Sequence, residues 1–410
     1  MLSLFRRRRK VPTNLFVSLD IGTELLKGIL FEYSKVGVIA LKHFYLRQPK
    51  KAMRSGKIIN KELVLYGTQA ILENLVVDSP LKGTKVMLGI AGDTINGVSI
   101  DVTYTRQNPN TPITPREESE ILEFVYNKIV EDGKRQLAQR LGIPSSRILI
   151  LHIGVVGMLV NGIPRTSMLG EKARSVKFHI YASFAPQDQI ELIKEIMQRL
   201  GVEPAGIVVQ PYAVARAFKG SRNVDFSAIF VDIGGGTTDV AIVKEGFSLS
   251  TRMYAFGGRV FTEQIAKHLN VSYQIAEDLK IKYTSGLLEP ALMAKVREAL
   301  AEQVRLWVES FKVALEEFKN VDEYPSQILL CGGGAMLPDL QDALRNFSWT
   351  SHLNFRKHPS VRLIRPQELD RVYIKDFELT KPYDVTPVSL ARSYYDILEN
   401  PKYNYVANVF

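Results

Sequence analysis

The sequence predicts an α/β protein made of two similar lobes facing each other across a cleft. Two observations carry this. Asp20-Ile-Gly-Thr23 and Asp232-Ile-Gly-Gly-Gly-Thr237 lie in opposite halves of the chain, and each follows an apolar strand and precedes another. The chain has 410 residues, more than one ordinary hydrophobic core serves, so two domains or one bilobed fold is expected. Hydrophobic residues make up 46% and charged residues 23%, the balance of a folded chain and not of a disordered one.

The elements follow in order. Residues 15–20, Leu-Phe-Val-Ser-Leu-Asp, read as a buried strand, and a second strand follows the Gly22-Thr23 turn over 26–32. Residues 84–105 alternate strand-like runs with turn signals at Ala91-Gly92-Asp93 and Asn96-Gly97. Residues 117–141 read as a helix, acidic early and basic late, which complements its dipole. Strands are expected over 147–160 and 175–184. Between Pro186 and Leu200 an amphipathic helix sets Ile190, Ile193, Ile196 and Met197 on one face, and Gly201 closes it. Residues 226–233 and 240–243 repeat the opening pair of strands. A long helical stretch covers 259–320 with a break near Thr284–Gly286. Ile328–Cys331 is a short buried strand, Gly332–Gly334 a turn, and Leu337–Asn346 a helix. The last 60 residues contain Pro359, Pro366, Pro382, Pro387 and Pro401 and show no long periodic run.

The formal net charge is +10, and Arg6, Arg7, Arg8, Arg9 and Lys10 supply half of it. The remaining body is close to balanced for its size, which argues against a globally basic nucleic-acid-binding protein. The single cysteine, Cys331, excludes an internal disulfide and suits a reducing compartment. No apolar run is long enough for a transmembrane helix. The start of the chain is not a secretory signal, because its few apolar residues precede the charges. It reads either as a solvated tail, or as a weak membrane anchor in which Leu2, Leu4 and Phe5 enter lipid and the basic run holds anionic headgroups, or as a nucleic-acid contact.

The two Asp-Ile-Gly turns share one chemistry. Glycines let main-chain N–H groups approach an anion closely and form a nest that suits phosphate. Threonine hydroxyls add donors, and an aspartate at a strand end can hold Mg²⁺ directly or through water. Two such turns facing each other would clamp a polyphosphate. The third glycine run, in Cys331-Gly-Gly-Gly-Ala-Met336, lies between a strand and a helix and would let a flat purine rest on the backbone. An ordinary hairpin turn also accounts for Asp20-Ile-Gly-Thr taken alone; all three motifs in this order are not accounted for that way.

These residues resemble the actin-like ATPase superfamily. Asp20–Lys27 resembles its first phosphate loop, Asp232–Asp239 its second and Gly332–Gly334 its adenosine loop. Gly257-Gly258-Arg-Val-Phe-Thr262 resembles the glycine turn that opens a helix, and Ala276-Glu277-Asp-Leu-Lys280 the helix that holds ribose and adenine. Within the superfamily, Ser55-Gly-Lys-Ile-Ile-Asn60, Lys85–Gly92, Val160–Pro164 and the strand over 175–184 resemble the entry to and exit from the 1C subdomain of the FtsA/PilM branch, with FtsA the nearer pattern. The resemblance implies the actin-like fold, two ribonuclease-H-like domains with a small inserted α+β subdomain. Its parts would be a basic tail (1–13), domain I (14–83 and 185–225), the SHS2-like 1C subdomain (84–184), domain II (226–390) and a C-terminal tail (391–410).

The resemblance also implies ATP and Mg²⁺ as cofactors. Nucleotide would be held by Gly22, Thr23, Lys27, Gly234, Gly235, Gly236, Thr237, Thr238, Gly257, Gly258, Glu277, Lys280, Gly332, Gly333, Gly334 and Met336. Asp20 and Asp232 would hold the metal and, with Gln210, act in catalysis, Gln210 by orienting the attacking water. On the residues alone, Lys27 also reads as a surface lysine, Glu277 and Lys280 as an exposed ion pair on one helix face, and Gln210 equally as a cap of the helix near Pro211. The implied function is a cell-division scaffold on the cytoplasmic face of the membrane. It would bind FtsZ through 257–325, polymerise, and hydrolyse ATP slowly or not at all. A PilM-like pilus platform with a PilN-like partner is the alternative. A sugar or acetate kinase would need an acceptor pocket that the sequence does not display. The chain departs from the FtsA pattern in its last residues, which are proline-broken and not basic, so the N-terminal run is the expected membrane contact.

Overall fold

A computed structural model describes residues 14–77, 81–92, 94–246, 248–318, 321–375 and 379–406. The basic run at 6–10 lies outside these. The chain opens with a meander of β1 (Leu15–Ile21), β2 (Leu25–Ser34) and β3 (Gly37–Arg47), followed by a small hairpin, β4 (Met53–Arg54) and β5 (Lys57–Ile58). Helix α1 (Lys61–Leu75) starts where the Asn60 side chain accepts the Leu63 N–H, a standard N-cap. Then come β6 (Lys85–Ile90) and β7 (Asn96–Thr105).

Helix α2 (Pro115–Leu141) is capped by Thr114, carries Pro115 in its first turn, and ends at left-handed Gly142. Strands β8 (Ile148–Val160), β9 (Ile163–Pro164) and β10 (Ser175–Pro186) follow, then α3 (Gln187–Leu200), whose four expected apolar residues are buried and whose Gly201 is left-handed. Next are β11 (Glu203–Val209), α4 (Gln210–Ala217), β12 (Ala228–Ile233), β13 (Thr238–Lys244) and β14 (Ser248–Tyr254).

The long helical stretch is three helices and not two. Helix α5 (Gly258–Leu269) ends at left-handed Asn270, and Ser272 caps α6 (Tyr273–Thr284). Helix α7 (Pro290–Glu316) follows the break already expected at 284–286. Then come β15 (Gln327–Cys331), α8 (Pro338–Arg345), β16 (Ser360–Leu363), β17 (Val372–Ile374), α9 (Val385–Glu399) and β18 (Asn404–Val406).

Two sheets repeat one plan. The first runs β11-β6-β1-β2-β3-β17, and the second β14-β13-β12-β15-β16. Each has an antiparallel meander of three strands, and the first strand of the meander pairs in parallel with a later strand. The registers match as well: Asp20 stands opposite Lys27, and Asp232 opposite Asp239. A third sheet, β18-β8-β10-β7, carries α2 on one face and has its own core around Val125, Ile129, Phe178 and Phe184.

The last stretch of the chain differs from expectation. No periodic run shows there, yet α9 is a four-turn helix, and every residue from Val385 to Asp396 is buried. A helix enclosed on all sides has no polar face, so its sequence carries no amphipathic period. Residues read as the end of domain II and a tail instead fill the first domain: Val385, Val388, Leu390 and Tyr394 join Phe16, Leu19 and Val208 in one core. Gly89 makes room for this helix, since a side chain there would collide with Leu390. Strand β18 then completes the edge of the subdomain sheet against β8. On the far side of that sheet, the Tyr181 and Thr251 hydroxyls lie 3.0 Å apart and join the subdomain to β14.

Candidate functional site

Asp20 and Asp232 end the first strand of each meander, so the fold brings both carboxylates to the floor of one cleft, a cavity of about 380 Å³ between the two sheets. Both Asp20 oxygens are engaged: Lys27 Nζ lies 2.9 Å from Oδ2, and Gln210 Nε2 donates to Oδ1 at 2.6 Å. Gln210 opens α4 with its side chain held on Asp20. Lys27 is no surface lysine. Burial pulls its pKa down, but the Asp20 and Asp232 carboxylates outweigh that and hold it above the ordinary value. Burial pushes Asp232 up; Lys27 and a hydroxyl from Thr386, which donates to Oδ2 at 2.5 Å, oppose the rise.

Asp239 lines the same floor. Burial pushes its carboxyl well above the usual range, the Asp232 and Asp20 charges add to that, and its Oδ1 has no hydrogen-bond partner. A buried carboxylate with an unmet acceptor is what a hydrated cation satisfies. Among the described residues no three His, Cys, Asp or Glu side chains are grouped to hold a metal unaided. A cation here would therefore keep water and phosphate oxygens among its ligands, as magnesium does.

The glycine turns meet across the cleft. A side chain on Gly235 would strike Glu24, and one on Gly236 would come within 2.7 Å of the Thr23 hydroxyl. Gly332 sits at φ +86, where a side chain would press on Asp232 Oδ1 at 2.2 Å; only glycine fits. Gly333 lines the cleft with nothing within 4 Å of where a Cβ would point, so the surface beside it is open to a flat ring. Gly22, Thr23, Gly234, Thr237, Gly258, Gly334 and Met336 also line the cavity. Gly257 packs directly behind the second turn, its missing side chain making room for the Gly234 carbonyl.

Thr238 does not reach the cleft. Its hydroxyl donates to the Phe256 carbonyl at 2.6 Å and accepts the Trp307 indole N–H at 2.9 Å, within the second core. The alternation of strand β13 explains this: Thr237 and Asp239 point one way and Thr238 the other. Thr238 is thus a support of the turn and not a ligand-facing residue.

Glu277 and Lys280 form a buried pair, 6% and 8% exposed, and not a solvated one. Lys280 Nζ lies 2.8 Å from Glu277 Oε2 and also donates to the Gly258 carbonyl at 3.0 Å and the Thr262 hydroxyl at 2.6 Å. The pair therefore fixes the start of α5 while lining the cleft beside Ile281, Thr284 and Ser285. An isoleucine and backbone glycines in one lining suit an aromatic base, and the polar side chains of the same lining suit a ribose.

Several residues that the sequence reading passed over also belong here. Arg259, at the start of α5, reaches across to the first lobe: Nε lies 2.7 Å from Glu24 Oε2, Nη2 donates to the Thr23 carbonyl at 2.5 Å, and Nη1 donates to the Met53 carbonyl at 2.8 Å. Tyr273 Oη donates to the same Glu24 oxygen at 3.3 Å, and Lys50 pairs with Glu263 at 3.2 Å. The mouth of the cleft is thereby latched. From the late segment before α9, Lys381 and Tyr383 complete the lining, and the Pro382 carbonyl accepts the Gly332 N–H at 3.1 Å. Asp239 was legible, since it follows Asp232 by the spacing that separates Lys27 from Asp20; Thr386 and Arg259 were not, because nothing local marks them.

A family model described as Type IV pilus assembly protein PilM matches residues 168–354. The chain is 22% identical over 343 residues to the cell division protein FtsA of Neisseria meningitidis serogroup B, covering 78% of each. It is 24% identical over 362 residues to the FtsA of Bacillus subtilis, covering 81% of this chain and 77% of that one. Among solved structures, a PilM-PilN type IV pilus biogenesis complex superposes with a TM-score of 0.63 at 17% identity, covering 93% of this chain and 98% of that one. That likeness establishes the fold.

Proposed function

From the premise that this chain has the actin-like ATPase fold and is similar along about four fifths of its length to the cell division protein FtsA, we propose that it is an ATP-binding cell-division scaffold. One observation carries the nucleotide part. The two Asp-Gly turns of twin sheets touch across a single cleft, with a third glycine turn opening on the base side. Lys27 and the Thr23 and Thr237 hydroxyls would meet the phosphates, backed by the N–H groups of the glycine turns. Asp20, Asp232 and Asp239 would face the magnesium ion and its waters, and the ion would neutralise phosphate charge. Glu277, Lys280, Gly333 and Met336 would hold the nucleoside.

The chemistry of hydrolysis is thinly supplied. Gln210 is the side chain that could steer a water, and it is already committed to Asp20. Turnover should accordingly be slow, since phosphoryl transfer depends on positioning the attacking group. The protein would work by shape: bound nucleotide joins the two turns, sets the angle between the lobes, and favours head-to-tail polymerisation. FtsZ would dock on the lobe spanning 257–325, and the basic residues 6–10 would hold the assembly on the cytoplasmic membrane surface. No helix among the described residues is long and apolar enough to cross a membrane.

The decisive experiment measures fluorescent ATP binding with magnesium, then pull-down with FtsZ. Saturable, magnesium-dependent binding and FtsZ capture are expected; absence of nucleotide binding defeats the proposal. A second reading has its own observation. The PilM family model covers residues 168–354, and the PilM–PilN complex has the same fold. On that reading the chain is a pilus-assembly platform, and a PilN-like cytoplasmic peptide would be captured in place of FtsZ.

A further inference from the structure

The Asp-Gly turns are not the only parts of the chain that occur twice. Helix α4 opens Gln210-Pro211, and helix α9 carries Thr386-Pro387 in its first turn. A proline there forfeits no helix bond, because first-turn N–H groups have no partner within the helix. In each case the residue just before the proline donates to one aspartate of the cleft floor. Gln210 Nε2 donates to Asp20 Oδ1 at 2.6 Å, and the Thr386 hydroxyl to Asp232 Oδ2 at 2.5 Å. All four residues are buried, at most 7% exposed. The two helices pack against each other, and each lies on one sheet while bonding to the aspartate of the other. Helix α4 packs on β12 and β13 of the second sheet, and its glutamine holds the aspartate of the first. Helix α9 packs on β1, β2 and β6 of the first sheet, and its threonine holds the aspartate of the second. Thr386 is in this sense the twin of Gln210.

The two aspartates differ in their other support. Asp20 has Lys27 at 2.9 Å on the neighbouring strand. Asp232 has Asp239 at the matching position, an acid that donates nothing when ionised. The side chain that donates to Asp232 comes instead from far along the chain. Thr386 is itself fastened to both lobes through the turn before α9, Pro382–Asp384. The Pro382 carbonyl accepts the Gly332 N–H at 3.1 Å from the second lobe. From the first lobe the Tyr45 hydroxyl donates to Asp384 Oδ1 at 2.8 Å, and Asp384 Oδ2 accepts the Lys381 N–H at 2.8 Å. A carboxylate held by a donor that is itself held is the arrangement that orients metal-facing acids.

We propose that Thr386 is the positioning residue of Asp232: its hydroxyl holds that carboxylate ready for magnesium and its waters, as Gln210 holds Asp20. The inference rests on the magnesium part of the function proposed above and adds to it a residue that does not itself line the cavity. A hydroxyl with a structural role alone would change stability and leave the use of magnesium as it was. A positioning hydroxyl changes how much magnesium the cleft needs, and its effect vanishes when magnesium is absent.

The test measures fluorescent-ATP affinity of the full chain across a magnesium titration and in chelator. Thr386→Val keeps the shape of the side chain and loses the donor; Thr386→Ser keeps the donor and loses the methyl. Thr386→Val should raise the magnesium concentration for half-maximal ATP binding about tenfold or more, with ATP affinity in chelator unchanged. Thr386→Ser should need about as much magnesium as the unaltered chain. Where the valine variant does not fold, Thr386→Ala takes its place with the same expected rise. A second measurement needs no nucleotide: in urea unfolding of the empty protein, Thr386→Val and Asp232→Asn should be coupled, the loss of the hydroxyl costing less once the carboxylate is gone. The inference is overturned, with the proposed function intact, if Thr386→Val leaves the magnesium requirement unmoved, if it weakens ATP equally with and without magnesium, or if the two changes are additive. If the unaltered chain binds ATP without regard to magnesium, the magnesium part of the proposed function falls and this inference with it.

Discussion

Asp239 stands across β12–β13 from Asp232 as Lys27 stands across β1–β2 from Asp20, and this exchange of a lysine for an aspartate decides the polarity of the cleft floor. One lobe supplies a cation that pairs with its own aspartate, and the other an unpaired acid. Burial holds Asp239 well above its ordinary pKa, so the folded chain binds a proton there that the unfolded chain has already lost. Between the unfolded value, about 3.9, and the raised folded value, stability falls as pH rises. Asp239→Asn should remove that fall and raise the melting temperature of the nucleotide-free protein at neutral pH. The same change should weaken magnesium-dependent nucleotide binding; melting curves across pH with and without Mg–ATP read both. Gly333→Leu belongs to the same scale. Its side chain would enter open cleft and not packed protein, so nucleotide affinity should drop about a hundredfold or more while the melting temperature barely moves. A large loss of stability would show instead that the position is structural.

At the scale of elements, Arg259 is the part of α5 that holds the lobes together at the cleft mouth. Its partners are one carboxylate and the main-chain carbonyls of Thr23, Lys50 and Met53 in the opposite lobe, bonds of the stronger, charge-assisted kind. Arg259→Gln should speed nucleotide release about tenfold or more in a stopped-flow displacement experiment, with Arg259→Lys intermediate because it keeps the charge without the fork. The elements also show what a sequence can announce. The Asp-Ile-Gly turns and Gly332–Gly334 were readable because glycines crowd where backbone must approach something. Helix α3 was readable because one face is apolar. The break at Asn270–Ser272 was marked by a left-handed asparagine and a serine cap, signals present but hidden in a long polar-apolar run. Helix α9 left no mark, since burial on every side erases periodicity. The placement of Thr238 away from the cleft was implicit in strand alternation. Thr386 and Arg259 reach the site only through the tertiary path of the chain, which no local pattern encodes.

On the scale of the whole molecule, the lobes are joined at two levels: behind, by α4 and α9 packed between the sheets, and in front, by the Arg259–Glu24 latch. A ligand gripping both glycine turns adds a third junction and favours the folded state over the unfolded one by mass action. Mg–ATP at about a hundred times its dissociation constant should stabilise the protein by about 2.7 kcal/mol, and scanning fluorimetry should record the matching rise in melting temperature. ATP with a chelator should give a clearly smaller rise, because the acids of the floor would then repel the phosphates. An equal rise without magnesium would count against the metal assignment.

Helix α9 and strand β18 carry one more consequence. The ring of Phe16 lies tilted against that of Tyr394, their centroids 4.1 Å apart, and the edge of β8 waits for Asn404–Val406. A ribosome must therefore translate past residue 394 before the opening strands find this neighbour, and until then the nascent protein has that seam uncovered. Contacts this distant along the chain slow folding and leave apolar surface for chaperones to shield. A reporter fused downstream of residue 406 would tug on the very strand that finishes the middle subdomain.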